Sequence, residues 1–476
     1  MKKNPGFVRI IIVLNVFFIF LLSPPSLFAS VEVFFDPNLG YKNNFGYSVD
    51  MDGNTAVVGA PDIEAGGGGP EATYIYAYDG LGWNLDTTLP SPNSAVEEGF
   101  GYAVAVDDDV IAVGAYGYNS NQGAVYVYEY SGGQWVGPNT LTASGGSAGE
   151  FFGRSVDVQG TTIVAGASYA DDEQGAAYVF EKSGSTWSQV QKLTASDGQD
   201  KYTGSAWGDR FGYSVSIDGD TIVVGAYYDD IGSELKQGSA YVFEKSGGSW
   251  PSTEDYKLTS PDSIDGDLFG RSASVDGDTI AIGASYADSG AQTSAGKVYI
   301  YDWNDTDSNW VEADSPLEDP TPTSSGYFGR SVSLDGNNLL VGAPGDNVGG
   351  VGTGNVYLCV RDGNSWSMEE YSLSDLADSD RFGFAVSSDA DYMVVGAYQK
   401  DHSDPSVTNC GAVYFLEILA ADLNRDGEVN FKDFAILAYQ WLQPPGTPSA
   451  DISPAPVGDN VVNGLDLLRF TEQWLK

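Results

Sequence analysis

The sequence predicts an all-β, seven-bladed β-propeller of four-stranded antiparallel blades, followed by a small α-helical domain. Three observations carry this. Phe-Gly recurs seven times, at Phe45, Phe100, Phe152, Phe211, Phe269, Phe328 and Phe382. Gly-Ala stands fourteen residues after each Phe, at Gly59, Gly114, Gly166, Gly225, Gly283, Gly342 and Gly396. From Asp422 onward this grammar stops, and a helical pattern with oxygen-bearing side chains replaces it. The internal offset never varies while the repeat length runs from 52 to 59 residues, so each unit is a rigid hairpin joined to the next by adjustable loops.

The elements follow in chain order. Lys2, Lys3 and Arg9 precede an apolar run from Ile10 to Leu22, a Ser23-Pro24-Pro25 break and Leu27-Phe28-Ala29. This is the charged, apolar and cleavage pattern of an export leader over residues 1–29. The run is short against the roughly 20 residues of a membrane helix. The expectation is a secreted or cell-surface protein with no membrane span after cleavage.

Residues 30–417 hold the propeller. After each Phe-Gly comes an alternating strand such as Ser155-Val156-Asp157-Val158. Seven positions beyond each Phe stands Asp52, Asp107, Asp218, Asp276, Asp335 or Asp389, with Gln159 the exception. Gly usually follows, which reads as a two-residue Asp-Gly hairpin turn. The second strand is apolar on both faces, as in Ile222-Val223-Val224, the mark of a strand between two packed layers. A third strand of the Val-Tyr-Val-Tyr type follows. Trp83, Trp135, Trp187, Trp250, Trp310 or Trp366 then opens the fourth. The seventh unit lacks that strand, and Val31 to Phe35 is predicted to supply it, closing the ring and removing an exposed edge. An open seven-repeat solenoid is the alternative.

Phe-Gly…Gly-Ala-Pro, intact at Phe45-Gly46/Gly59-Ala60-Pro61 and Phe328-Gly329/Gly342-Ala343-Pro344, resembles the FG-GAP repeat of integrin α-subunit propellers and secreted bacterial proteins. The resemblance covers all seven units and favours the bacterial branch, because Tyr or Ser replaces Pro in the other five. The calcium loops common in integrin-type repeats are not carried over, since the first hairpin here is too tight to wrap an ion.

Composition narrows the function. The chain has 66 Asp and Glu against 22 Lys and Arg, a net charge of −44, so the basic stripe that nucleic acid requires is missing. The single His, His402, excludes a His-rich metal cage and confines any Ser-His-Asp triad to one position. Cys359 and Cys410 can form at most one bridge.

In a four-stranded meander, the loops from strand two to three and from blade to blade share one face. Those loops are long here, and long loops on a rigid scaffold are where recognition sits. They carry the predicted ligand-binding residues Tyr116, Tyr169, Trp207, Tyr227, Tyr228, Asp229 and Tyr286. Flat aromatics supply contact area and carboxylates accept hydroxyl hydrogen bonds, which suits a glycan or a protein surface.

Residues 418–476 form the second domain. Asp422, Asn424, Asp426, Glu428 (through its carbonyl), Asn430 and Asp433 occupy positions 1, 3, 5, 7, 9 and 12 of a calcium loop, with Gly427 at the sharp turn. A second, looser loop places Asp451, Ser453, Asp459, Val461, Asn463 and Asp466 similarly, with Asn460 where the turn Gly would be. Two calcium loops, each followed by a helix, resemble a type I dockerin. That resemblance implies Ca²⁺ as cofactor and a cohesin-like module as partner, contacted through Phe431, Lys432, Gly464 and Leu465.

The expectation is therefore a secreted, calcium-binding, non-catalytic recognition protein. Its propeller takes a polysaccharide or cell-surface protein ligand, and its tail docks to an assembly. The rivals are a polysaccharide-degrading enzyme with a dockerin anchor and an integrin-like adhesion protein.

Overall fold

In each repeat the Phe of Phe-Gly packs against a tyrosine of the third strand, edge-on in all but the tilted Phe100–Tyr126 pair: Phe45 lies on Tyr74, Phe152 on Tyr178 and Phe382 on Tyr414, with ring centroids 5.1–5.6 Å apart. All seven of these Phe are fully buried. The computed structural model describes residues 31–38, 44–62, 71–93, 98–202, 207–262, 264–313, 315–347, 350–389, 392–402 and 409–418. The predicted leader (1–29), the calcium loops and the partner-binding residues of the tail lie outside these residues.

Glu32–Glu417 is one unit of seven antiparallel sheets. The third blade shows the plan: Ser155–Gln159, Thr162–Ala167, Ala176–Ser183 and Thr186–Leu193 pair in sequence order. Its register aligns Val156 with Ala165 and Val164 with Val179. The seventh sheet runs Val31–Phe35, Ala412–Glu417, Tyr392–Ala397, Ala385–Asp389, so the N-terminal strand does complete the last blade. The ring is closed: Met51 N donates to Ser387 Oγ at 3.2 Å and Gly53 N to Asp389. This rules out the open solenoid.

Hydrophobic clusters straddle the joints between blades rather than forming one central core. Val125 and Val127 of the second blade pack with Phe152, Ile163 and Tyr178 of the third. Because both faces of each inner sheet meet a neighbour, the second strands are buried almost throughout, as in Thr221–Ala226.

Two sequence expectations change in detail. Trp250 is buried but does not open a strand; the fourth strand of that blade is only Tyr256–Leu258. Pro251 follows Trp250 and lacks the N–H a ladder needs. The turn Asp is also not a turn residue. Asp52 pairs with Thr55 as the last rung of its strand, leaving Gly53 and Asn54 to turn. Its carboxylate reaches the next blade, where Asp108 N donates to it at 2.6 Å. Gln159 takes the same role, accepting from Gly219 N while its amide donates to Asp218.

Candidate ligand-binding site

Three tiers of side-chain hydrogen bonds join consecutive inner strands and fix what faces the axis. In the first, Ser48, Ser155, Ser214, Ser272 and Ser331 each donate to the Phe-Gly carbonyl of the next blade at 2.8–3.1 Å. Two residues further on, Asp50 and Asp157 accept the next blade's Val106 N and Ile217 N at 2.7 and 2.8 Å. Ser216, Ser274, Ser333 and Ser387 take that place in other blades. The strand-end carboxylates form the third tier.

With the inner strands so fixed, the residue directly after each Phe-Gly sits at the channel mouth. Going round the ring these are Tyr47, Tyr102, Arg154, Tyr213, Arg271, Arg330 and Phe384. Together with the two small residues that follow each one (Ser or Ala, then Val, or Ala273 in the fifth blade), they line an axial cavity of about 230 Å³. Tyr47 stands 4.9 Å from both Tyr102 and Phe384, centroid to centroid. Arg154 lies between Tyr102 and Tyr213, at 5.4 and 5.3 Å. Arg271 lies over Tyr286 at 5.0 Å, and Arg330 over Phe384 at 4.4 Å. These are cation–π distances.

The electrostatics of the mouth are unusual for so acidic a chain. Among the described residues no carboxylate lies within ion-pair distance of Arg154, Arg271 or Arg330, whereas Arg210 pairs with Glu173 and Arg361 with Asp302. The Nε of Arg154 and of Arg271 is buried without a hydrogen-bond partner. Burial alone would raise the Tyr213 hydroxyl, but Arg271, Arg330 and Arg154 outweigh it and bring it down to about 7. At Tyr47 only Arg330 opposes burial, so burial and Tyr102 hold it well above the ordinary tyrosine value. Deeper in the channel, burial pushes Asp50 up to about 6, and burial with the charge of Asp50 pushes Asp157 up to about 7.

Most of the loop aromatics expected from sequence form a belt around this mouth. Tyr116 is 4.7 Å from Tyr102, and Tyr169 is 4.6 Å from Phe151 and carries Arg210 at 3.4 Å. Tyr227 is 4.1 Å from both Tyr213 and Tyr228, and Tyr286 is 5.0 Å from Tyr327. Trp207 stands outermost, 6.3 Å from Tyr228 and 47% exposed. Asp229 is not brought to the belt. It is buried in its blade, where it accepts from Ser239 Oγ and Tyr241 OH and pairs with Lys257 at 2.7 Å.

Sequence reasoning missed the mouth residues themselves. The available signal was a position inside an otherwise fixed motif that is only ever aromatic or Arg. Among the described residues no group of three or more His, Cys, Asp or Glu is arranged to hold a metal. Among them, too, no helix is long and apolar enough to cross a membrane. Cys359 and Cys410 are separate buried thiols, which burial pushes up to about 12 and about 11.

The FG-GAP repeat profile matches the chain seven times, over residues 40–76, 83–128, 135–180, 187–243, 252–301, 321–359 and 371–416. No curated protein matches it.

Proposed function

The chain belongs to the FG-GAP repeat family, and on that premise we propose that it is a secreted, non-catalytic recognition protein. The propeller holds a glycan or protein ligand at its axial mouth, and residues 418–476, ordered by Ca²⁺, dock to a cohesin-like partner. One observation carries the propeller part: all seven blades contribute one aromatic or Arg side chain to the same cavity. Three guanidiniums stand there with no carboxylate of the described residues in ion-pair distance, and two of their Nε donors are buried unpaired, which a scaffold that needed only to fold would avoid.

The test is binding by the full chain to a glycan array and to extracellular proteins, repeated with Tyr102→Ala. Retention that falls at least tenfold in the variant supports the reading. Retention indifferent to Tyr102 places the ligand elsewhere and overturns it.

A further inference from the structure

We infer that the axial mouth is a site for a carboxylate-bearing sugar, with the acid group held by Arg154, Arg271 and Arg330 and the sugar ring laid against Tyr47, Tyr102 and Phe384. This rests on the mouth being the ligand site, and adds the ligand's chemical class.

The ring is divided by chemistry. The third, fifth and sixth blades supply the arginines around Tyr213, while the seventh, first and second supply aromatic rings alone. One side of the cavity is therefore cationic and the other flat and apolar. The guanidinium fork matches a planar carboxylate and gains from charge-assisted hydrogen bonds. Arg154 Nε and Arg271 Nε are buried donors with nothing to donate to, and among the described residues no protein carboxylate neutralises either side chain. The interactions that do reach them come from tyrosines.

Three further considerations select the ligand. The cavity of about 230 Å³ falls below the size of pockets for drug-sized molecules, so it admits one small ring or acid group rather than a folded segment. The seven mouth side chains offer N–H and O–H donors but no carboxylate or amide acceptor. Sugar hydroxyls both donate to and accept from the tyrosine hydroxyls that line the mouth. Finally, a chain of net charge −44 repels polyanions, which favours a ligand whose charge is local.

The test is calorimetric titration of the full chain with galacturonate, galactose, acetate, inorganic sulfate and an aspartate-rich peptide, in wild type, Arg271→Gln, Arg154→Gln and Tyr102→Ala. Lys182→Gln, at an outer-edge ion pair with Glu129, serves as control. The expected result is galacturonate bound at least tenfold tighter than galactose or acetate. That preference should weaken as salt rises, fall at least tenfold in either Arg variant, and persist in Lys182→Gln. Equal affinity for acetate and galacturonate overturns the assignment to a sugar. Galactose binding that is lost in Tyr102→Ala but kept in the Arg variants overturns the acid while leaving the mouth as the ligand site. Preference for sulfate or the peptide overturns the carboxylate sugar. Binding of galacturonate unaffected by all three mouth variants, or no binding of any probe, overturns the inference.

Discussion

Ser155 Oγ donates at 2.9 Å to the carbonyl oxygen of Gly212, across the joint between the third and fourth blades. That same carbonyl lies against Gly166 so closely that a Cβ there would collide with it. Gly212 N in turn donates to Gly225 O within its own blade at 3.0 Å. The two glycines of the repeat are thus the two sides of one inter-blade contact. Gly166→Ala should destabilise the propeller by about 2–3 kcal/mol, because the obstructing atom is backbone and cannot rotate away. Ser155→Ala should cost only about 1 kcal/mol, the usual net worth of one hydrogen bond. Urea denaturation of both variants checks the order; equal losses would contradict the steric account.

This joint explains what was legible in the sequence. The offset from Phe45 to Gly59 is constant because one tight hairpin spans it, closed by Gly46 N donating to Gly59 O at 3.0 Å, and its two ends meet the two neighbouring blades. The closing strand Val31–Phe35 was legible because the seventh unit stops after Tyr414 and Phe415. What faces the axis was harder to see. Arg154 and Tyr213 occupy equivalent positions but share no residue type, and only the ring geometry gives them a common cavity. Asp229 looked like a ligand because it lies beside Tyr228 in a long loop. It is instead spent on Tyr241 and Lys257, as Asp346 is on Tyr357 at 2.9 Å. Loop acids beside a third-strand tyrosine serve the blade first.

Burial raises Asp50 to about 6 and Asp157 to about 7, and also takes Glu71 and Asp209 to about 7. A folded-state value above the unfolded one means stability that is complete below about pH 4 and lost as pH rises through 6–7. Asp197 and Asp262 act oppositely. Lys257 outweighs burial at the first, and Lys297 with Tyr299 at the second, so stability from both is lost as pH falls below about 4. The melting temperature should therefore be highest near pH 4, fall as pH rises to about 7, and level off above that. Asp157→Asn should raise the stability at pH 8 by on the order of 2–4 kcal/mol, from the size of the shift, and do little at pH 4. An unchanged slope of melting temperature against pH would contradict this.

The three axial arginines predict one effect in the absence of any ligand. Arg271→Gln should return the Tyr213 hydroxyl upward from about 7, since Arg271 is the foremost of the charges that lower it. Near-ultraviolet titration of tyrosinate, with Tyr213→Phe to identify the signal, reads this effect. A tyrosine that titrates near neutrality and is untouched by Arg271→Gln would contradict it.

The tail gives an independent prediction. Asp422, Asn424, Asp426, Asn430 and Asp433 supply hard oxygens at calcium-loop spacing, whereas the described blades hold no cluster arranged for a metal. Structural metal binding is folding free energy, so its removal unfolds what it orders. A chelator should abolish a calcium-dependent transition belonging to residues 422–476 and leave the propeller's main transition in place. Asp426→Ala should reproduce the loss without chelator, because position 5 is a direct ligand. Calorimetry of the full chain with and without Ca²⁺ separates the two. A propeller transition that moves with chelator would place calcium in the blades instead, and a chain indifferent to chelator throughout would remove calcium from the tail.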